Sequence, residues 1–288
     1  MENLAASYRY CRTVARRRAR NFYYGFLLLP RAQRDAICAV YAFMRYCDDL
    51  SDEPGPEGAS ESTVRAAAIR RWRASLAASL AGSFDGHPAW PAFCDTVRRF
   101  RIPHDYFFQM IEGVSSDLEP RRFSGSEDLY RYCYQVASVA GLAAIHIFGF
   151  DSQEAPRLAE KCGIAFQLTN ILRDLREDAA RGRLYLPLED MARFGVAPEA
   201  IERGEASAGF LELLRFEAER TRRFYQEAQP LIGMVQPGSR AALAALIGIY
   251  SRLLERVEAA GSEVLARRIA LPAAEKCWIA LKARLTRW

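Results

Sequence analysis

Apolar side chains recur at intervals of three and four along most of the chain, the repeat of an α-helix with one buried face. The stretch 32–50 shows it plainly: Ile37, Val40, Tyr41 and Met44 keep the spacing. Similar runs predict helices over residues 3–19, 61–81, 89–100, 103–117, 127–149, 207–232, 239–260 and 272–287, with another centred on 163–178. Turn residues separate them: Pro30, the run from Pro54 to Gly58, Ser83 to Pro88, Gln236-Pro237-Gly238, Gly261 and Pro272. The alternating pattern of strands is almost absent, and no 20- to 50-residue repeat or low-complexity tract interrupts the chain. The expectation is an all-α fold, a single domain over residues 1–288 arranged as a helical bundle around a central cavity.

Two of these helices end in acids. In the stretch from Gly163 to Pro187, Asp174 and Asp178 are four apart, so at about 100° per residue both carboxylates leave nearly the same face. Asn170 and Gln167 continue that stripe upstream with amides, while Ile164, Leu168, Ile171, Leu172 and Leu175 are apolar. Such a stripe can line a cavity; it can also be a solvated face, since Arg173, Arg176, Glu177 and Arg181 offer ordinary surface pairing. A second cluster, Asp48-Asp49-Leu50-Ser51-Asp52-Glu53, repeats the spacing with Asp48 and Asp52 and favours the cavity. Like charges four apart repel by roughly 0.2–0.5 kcal/mol in an exposed helix, so the clusters call for counter-charge. Magnesium, which takes oxygen ligands and bridges carboxylates to substrate phosphates, is the expected metal, on Asp48, Asp52, Asp174 and Asp178.

Composition trims the function classes. Lys and Arg exceed Asp and Glu by five in 288 residues, and the pI is near 8.9. That balance suits an anionic substrate or an acidic membrane surface and is too weak for nucleic acid. The seven cysteines are scattered without CxxC pairing, as expected of reduced core residues in a cytoplasmic protein. His87, His104 and His146 have no zinc spacing. No signal-peptide core and no stretch of about 18 apolar residues appears, so membrane contact is expected to be peripheral, at the inner face.

The segment from Tyr132 to Gly141, with Gln167-x-x-Asn170-x-x-Arg173-Asp174-x-x-x-Asp178 and then Arg183-x-Tyr185-x-Pro187, resembles the two signatures of the squalene and phytoene synthase family. The first acidic cluster, preceded by Tyr41 and Arg45, looks like that family's other metal motif. The likeness runs from about Asn21 to the C-terminal region; Ala140 and Cys162 depart from the usual residues without removing a ligand. The resemblance implies that Tyr132, Tyr41, Arg45 and Phe22 serve the reacting centre. It implies substrate-binding roles for Arg18, Arg20, Asn21, Gln167, Asn170, Arg173, Arg183, Tyr185 and Tyr250, with Tyr250 and Arg267-Arg268 near the pocket. Asn21 to Tyr24 resembles the family loop that closes over the diphosphate.

The implied reaction joins two allylic diphosphates head to head through a carbocation. The phrase Asn21-Phe22-Tyr23-Tyr24-Gly25-Phe26 looks most like bacterial farnesyl-using members, particularly presqualene diphosphate synthases of the hopanoid route. The expected substrate is therefore farnesyl diphosphate, with NADPH required only if the reaction continues to squalene. Phytoene synthesis from two geranylgeranyl diphosphates is the alternative, and downstream isoprenoid enzymes are the expected partners. Other classes fit less well. A di-iron bundle needs Glu-x-x-His pairs, absent before all three histidines. A class I terpene cyclase would carry a different second metal motif, and a non-catalytic prenyl-binding protein should have lost some of the aspartates.

Overall fold

The computed structural model describes residues 2–52, 61–118, 121–286 and 288, with backbone only at 2, 51, 52, 61 and 62. The chain opens with α1 (Glu2–Arg18), a short α2 (Phe22–Phe26) and the long α3 (Arg31–Asp52). Then come α4 (Glu61–Leu80), α5 (Trp90–Arg99), α6 (Asp105–Ser116), α7 (Ser126–Cys133) and α8 (Val139–Phe148). The central α9 (Ala155–Ala179) is followed by two short helices that the sequence pattern did not predict, α10 (Leu188–Arg193) and α11 (Pro198–Glu202). The last four are α12 (Ala208–Ala228), α13 (Leu231–Met234), α14 (Pro237–Ala260) and α15 (Ala273–Leu285). Among the described residues, β-pairing is limited to one isolated bridge between Phe150 and Val235.

Three expected boundaries differ. Residues 21–24 were expected as a loop, yet α2 is helical from Phe22, and Gly25 explains how it sits: a Cβ there would lie 2.6 Å from Leu246 of α14, so only glycine allows this approach. The predicted helix over 127–149 is interrupted by a π-helical segment, Tyr134–Ser138, that joins α7 to α8. Its extra residue per turn re-aims Val136 and Ala137 toward the central cavity. The predicted helix over 207–232 breaks at Pro230 into α12 and α13.

Local chemistry accounts for the helix ends near the cavity. Pro156 occupies the first turn of α9, where its missing N–H costs nothing. At the other end, Arg181 and Arg183 N–H groups both donate to the Asp178 carbonyl, and Gly182 takes φ of +70° to close the turn. Ser207 caps α12 by accepting from the Phe210 N–H at 3.1 Å.

The core holds both acidic helices in place. One face of α3 enters an aromatic cluster in which Phe43 stacks on Phe93 at 4.6 Å, and Trp72 stacks on Trp90 at 4.2 Å. With that face buried, Tyr41, Met44 and Asp48 point the other way, into the cavity. Helix α9 packs on α12, α8, α14 and the π-helical segment. Five of the seven cysteines are buried free thiols as expected; Cys94 is half-buried and Cys277 is exposed, because α15 turns that side to solvent.

Away from the cavity, α10 is tied to α12 by a buried charge cluster. Arg220 donates to Asp190 at 2.7 Å and to Glu217 at 2.9 Å. One cation faces two carboxylates, and burial with the Asp190 charge pushes the Glu217 pKa up.

Two outcomes follow from this packing. A Cβ at Gly163 would lie 2.5 Å from the Ser138 Cα, so Gly163→Ala should force backbone movement and cost about 1–3 kcal/mol, read as a lower melting temperature. For Glu217 the folded pKa lies above the unfolded value, so its contribution to stability is greatest at low pH and falls as pH rises through that window. Glu217→Gln should therefore gain on wild type in melting temperature between pH 5 and pH 8; parallel profiles would contradict this.

Candidate active site

A cavity of about 400 Å³ lies between α3, α6, the π-helical segment, α8, α9 and α14. Its lining changes character along both acidic helices. On α3 it runs from Ile37 and Val40 to Arg45 and Asp48. On α9 it runs from Ala159 and Cys162 to Asn170, Asp174 and Asp178, about 28 Å at 1.5 Å per residue. An apolar tunnel thus ends in a group of charged and amide side chains.

Of the candidate residues, Phe22, Tyr41, Arg45, Asp48, Tyr132, Gln167, Asn170, Arg173, Asp174, Asp178, Arg183 and Tyr185 all line this one cavity. The rest are placed elsewhere. Arg18 sits outside it and donates to Asp49 at 2.8 Å, where Arg45 also pairs. Arg20 is exposed in the bend between α1 and α2, with φ of +35°. Tyr250 is buried behind the lining, its ring tilted against Phe166 at 4.5 Å and Phe22 at 5.0 Å, with its hydroxyl bonded to Arg173 and Asn21. Burial raises the Tyr250 pKa to about 12. Arg268 reaches Asp174 at 2.9 Å and Arg267 pairs with Glu263. The side chain of Asp52 lies outside the described residues.

The counter-charge that the acidic stripes demand is partly protein. Arg173 and Arg268 both pair with Asp174. Asp178 is different: burial first, and then the Asp174 charge, raise its pKa to about 7, against the opposing pull of Arg183 and Arg181. Excess negative charge therefore remains on this wall. Two buried polar atoms along the cavity also lack hydrogen-bond partners, the Asn170 Oδ1 and the Arg45 Nε. One is an acceptor a turn before Asp174; the other is a donor a turn before Asp48 and Asp49. Unsatisfied groups at such depth normally find a partner, and three others, Gln33 Oε1, Ser79 Oγ and Arg256 Nε, lie away from the cavity.

These residues suit a magnesium diphosphate. The donors are oxygens only, Asp48, Asp174, Asp178 and the Asn170 carbonyl, which match a hard cation. Among the described residues no three acidic, histidine or cysteine side chains come together as a group that could hold a metal ion by themselves. Magnesium keeps several waters and uses few protein ligands, so an open arrangement fits it better than a cage.

Two lining residues escaped the sequence reading. Asp117, at the C-terminal end of α6, accepts from the Tyr132 hydroxyl at 2.9 Å and from the Tyr185 hydroxyl at 3.1 Å, and its carbonyl receives Arg183. Burial and that carboxylate raise both phenol pKa values, so each phenol is held as a neutral donor. No periodic signal marks Asp117, whose role comes from tertiary contact. Phe166 could have been found: it precedes Asn170, Asp174 and Asp178 by four, eight and twelve residues, on the same stripe.

Known proteins resemble this chain in sequence and fold. Residues 15–275 match the family model for squalene/phytoene synthase. The chain is 36% identical over 287 residues to the phytoene synthase of Mycobacterium tuberculosis, covering 98% of this chain and 92% of that one. It is 36% identical over 263 residues to chloroplastic phytoene synthase 1 of Arabidopsis thaliana, covering 89% of this chain but 61% of the plant protein. Among solved structures, a dehydrosqualene synthase in complex with ligand superposes with a TM-score of 0.87 at 27% identity, covering 98% of this chain and 97% of that one. The squalene synthase HpnC from Alicyclobacillus acidocaldarius superposes at 0.74 with 29% identity, covering 92% and 94%. The chain belongs to the squalene/phytoene synthase family, prenyltransferases that condense two prenyl diphosphates head to head.

The Asp117 contacts give a direct test. A hydrogen bond to a charged acceptor contributes about 1.5–3 kcal/mol. A double-mutant cycle of Tyr132→Phe and Asp117→Asn in chemical denaturation should show coupling of about 1 kcal/mol or more, and additivity would show that the bond does not stabilise the fold.

Proposed function

We propose that this protein is a phytoene-type synthase that joins two geranylgeranyl diphosphates head to head, with magnesium as its metal. The carrying observation is the 36% identity to a mycobacterial phytoene synthase across 98% of the chain. The farnesyl reading suggested by the Asn21 to Phe26 phrase shares the reaction class, and the 27% and 29% identical C30-type structures keep it as the second reading.

Magnesium held by Asp48, Asp174, Asp178 and the Asn170 carbonyl would neutralise the diphosphate as its bond to the allylic carbon breaks. The protein does the rest. The Arg45, Arg173 and Arg183 side chains in the cavity lining place positive charge around the diphosphate oxygens. The apolar lining of α8 and α14 holds both prenyl chains and excludes water from the cation. Phe22 and Phe166, edge to face at 5.9 Å, offer ring faces to that cation. The Tyr132 hydroxyl donates a hydrogen bond to Asp117 and so positions that carboxylate, and proton acceptance belongs to Asp117 or the released diphosphate.

Purified protein incubated with magnesium and radiolabelled geranylgeranyl or farnesyl diphosphate, with and without NADPH, decides the chain length. A C40 hydrocarbon from the C20 substrate without NADPH is the expected result, and chelation of magnesium should stop it. Product from the C15 substrate alone would return the farnesyl reading, with NADPH dependence marking squalene. Asp48→Ala and Asp174→Ala should each lower turnover by about 100-fold or more while helical circular dichroism persists. Activity retained in both would overturn the two-cluster site.

A further inference from the structure

The cavity does not account for the outer face of α15. At 100° per residue, Trp278, Leu281 and Leu285 fall within one narrow stripe. They are exposed by 64%, 47% and 73%, and Trp288 beyond the helix by 43%. These four account for most of the large exposed apolar side chains among the described residues. Lys282 borders the stripe on one side and Arg284 on the other, both exposed. Glu275 carries no free charge here, since Arg252 and Arg256 pair with it. The helix is anchored from beneath: it packs on α14 and α2, and the Lys276 ammonium lies over the Tyr24 ring at 5.5 Å.

We propose that this face of α15 docks on an anionic lipid surface. Tryptophan beside leucine, flanked by cations, is the composition that settles at the boundary between headgroups and acyl chains. The positive border complements anionic headgroups, which a second copy of the same cationic stripe would not. Among the described residues no helix is long and apolar enough to cross a membrane, so the contact is peripheral. Its position has a use: α2, against which α15 rests, carries Phe22 and Phe26 of the cavity wall, and Leu27 at its end is 47% exposed. Docking therefore places the cavity wall beside the phase that dissolves long prenyl chains. This inference goes beyond the reading above and does not depend on the prenyl chain length.

The test is vesicle flotation of the full chain on phosphatidylcholine alone and on phosphatidylcholine with phosphatidylglycerol. Wild type should bind the anionic vesicles, and brominated lipids should quench its fluorescence, because Trp278 and Trp288 are exposed whereas Trp72 and Trp90 are buried. The double variant Trp278→Ser/Leu285→Ser should bind about ten-fold more weakly or worse with its melting temperature unchanged. Lys282→Gln/Arg284→Gln should lose the preference for phosphatidylglycerol. Absence of wild-type binding, or binding that survives the first pair of substitutions, would overturn the proposal. So would a retained preference in the second variant, or a dimer in light scattering that those substitutions dissociate.

Discussion

Everything around the cavity answers one constraint: several carboxylates share a partly buried wall, and each needs positive charge or a hydrogen-bond donor. Asp49 is satisfied by Arg18 and Arg45. Asp174 takes Arg173 and Arg268, and Asp117 takes two phenols. Burial first, and then the Asp174 charge, lift the Asp178 pKa to about 7 against the pull of Arg183 and Arg181.

That constraint also explains the division of labour among the helices. An acid-bearing wall cannot be left to drift, and α3 is secured by an aromatic cluster on its far side. Helix α9 is secured chiefly by packing on α12, α8, α14 and the π-helical segment. Close contacts at Gly25 and Gly163 set the distances of α2 from α14 and of α9 from the π-helical segment. The aromatic group of Phe22, Phe166 and Tyr250 links α2, α9 and α14 at the junction of the polar and apolar halves.

The amino-acid sequence alone determined the helical class, most helix boundaries and the two acidic stripes, because helical period and i,i+4 spacing are local properties. It also placed twelve candidate residues on what proves to be one cavity lining. Phe166 lay within reach of the same spacing argument. Tertiary structure alone decided the rest. Asp117 enters the site through contacts to Tyr132 and Tyr185, 15 and 68 residues away in sequence, which no local period encodes. Tyr250 stands behind the lining and Arg18 outside it, because the packing of neighbouring helices, not position along one helix, settles which face meets the cavity. The π-helical segment and the exposed stripe of α15 belong to the same category: the first packs on α6 and α9, and the second is left uncovered by the other helices, neither of which a local period encodes.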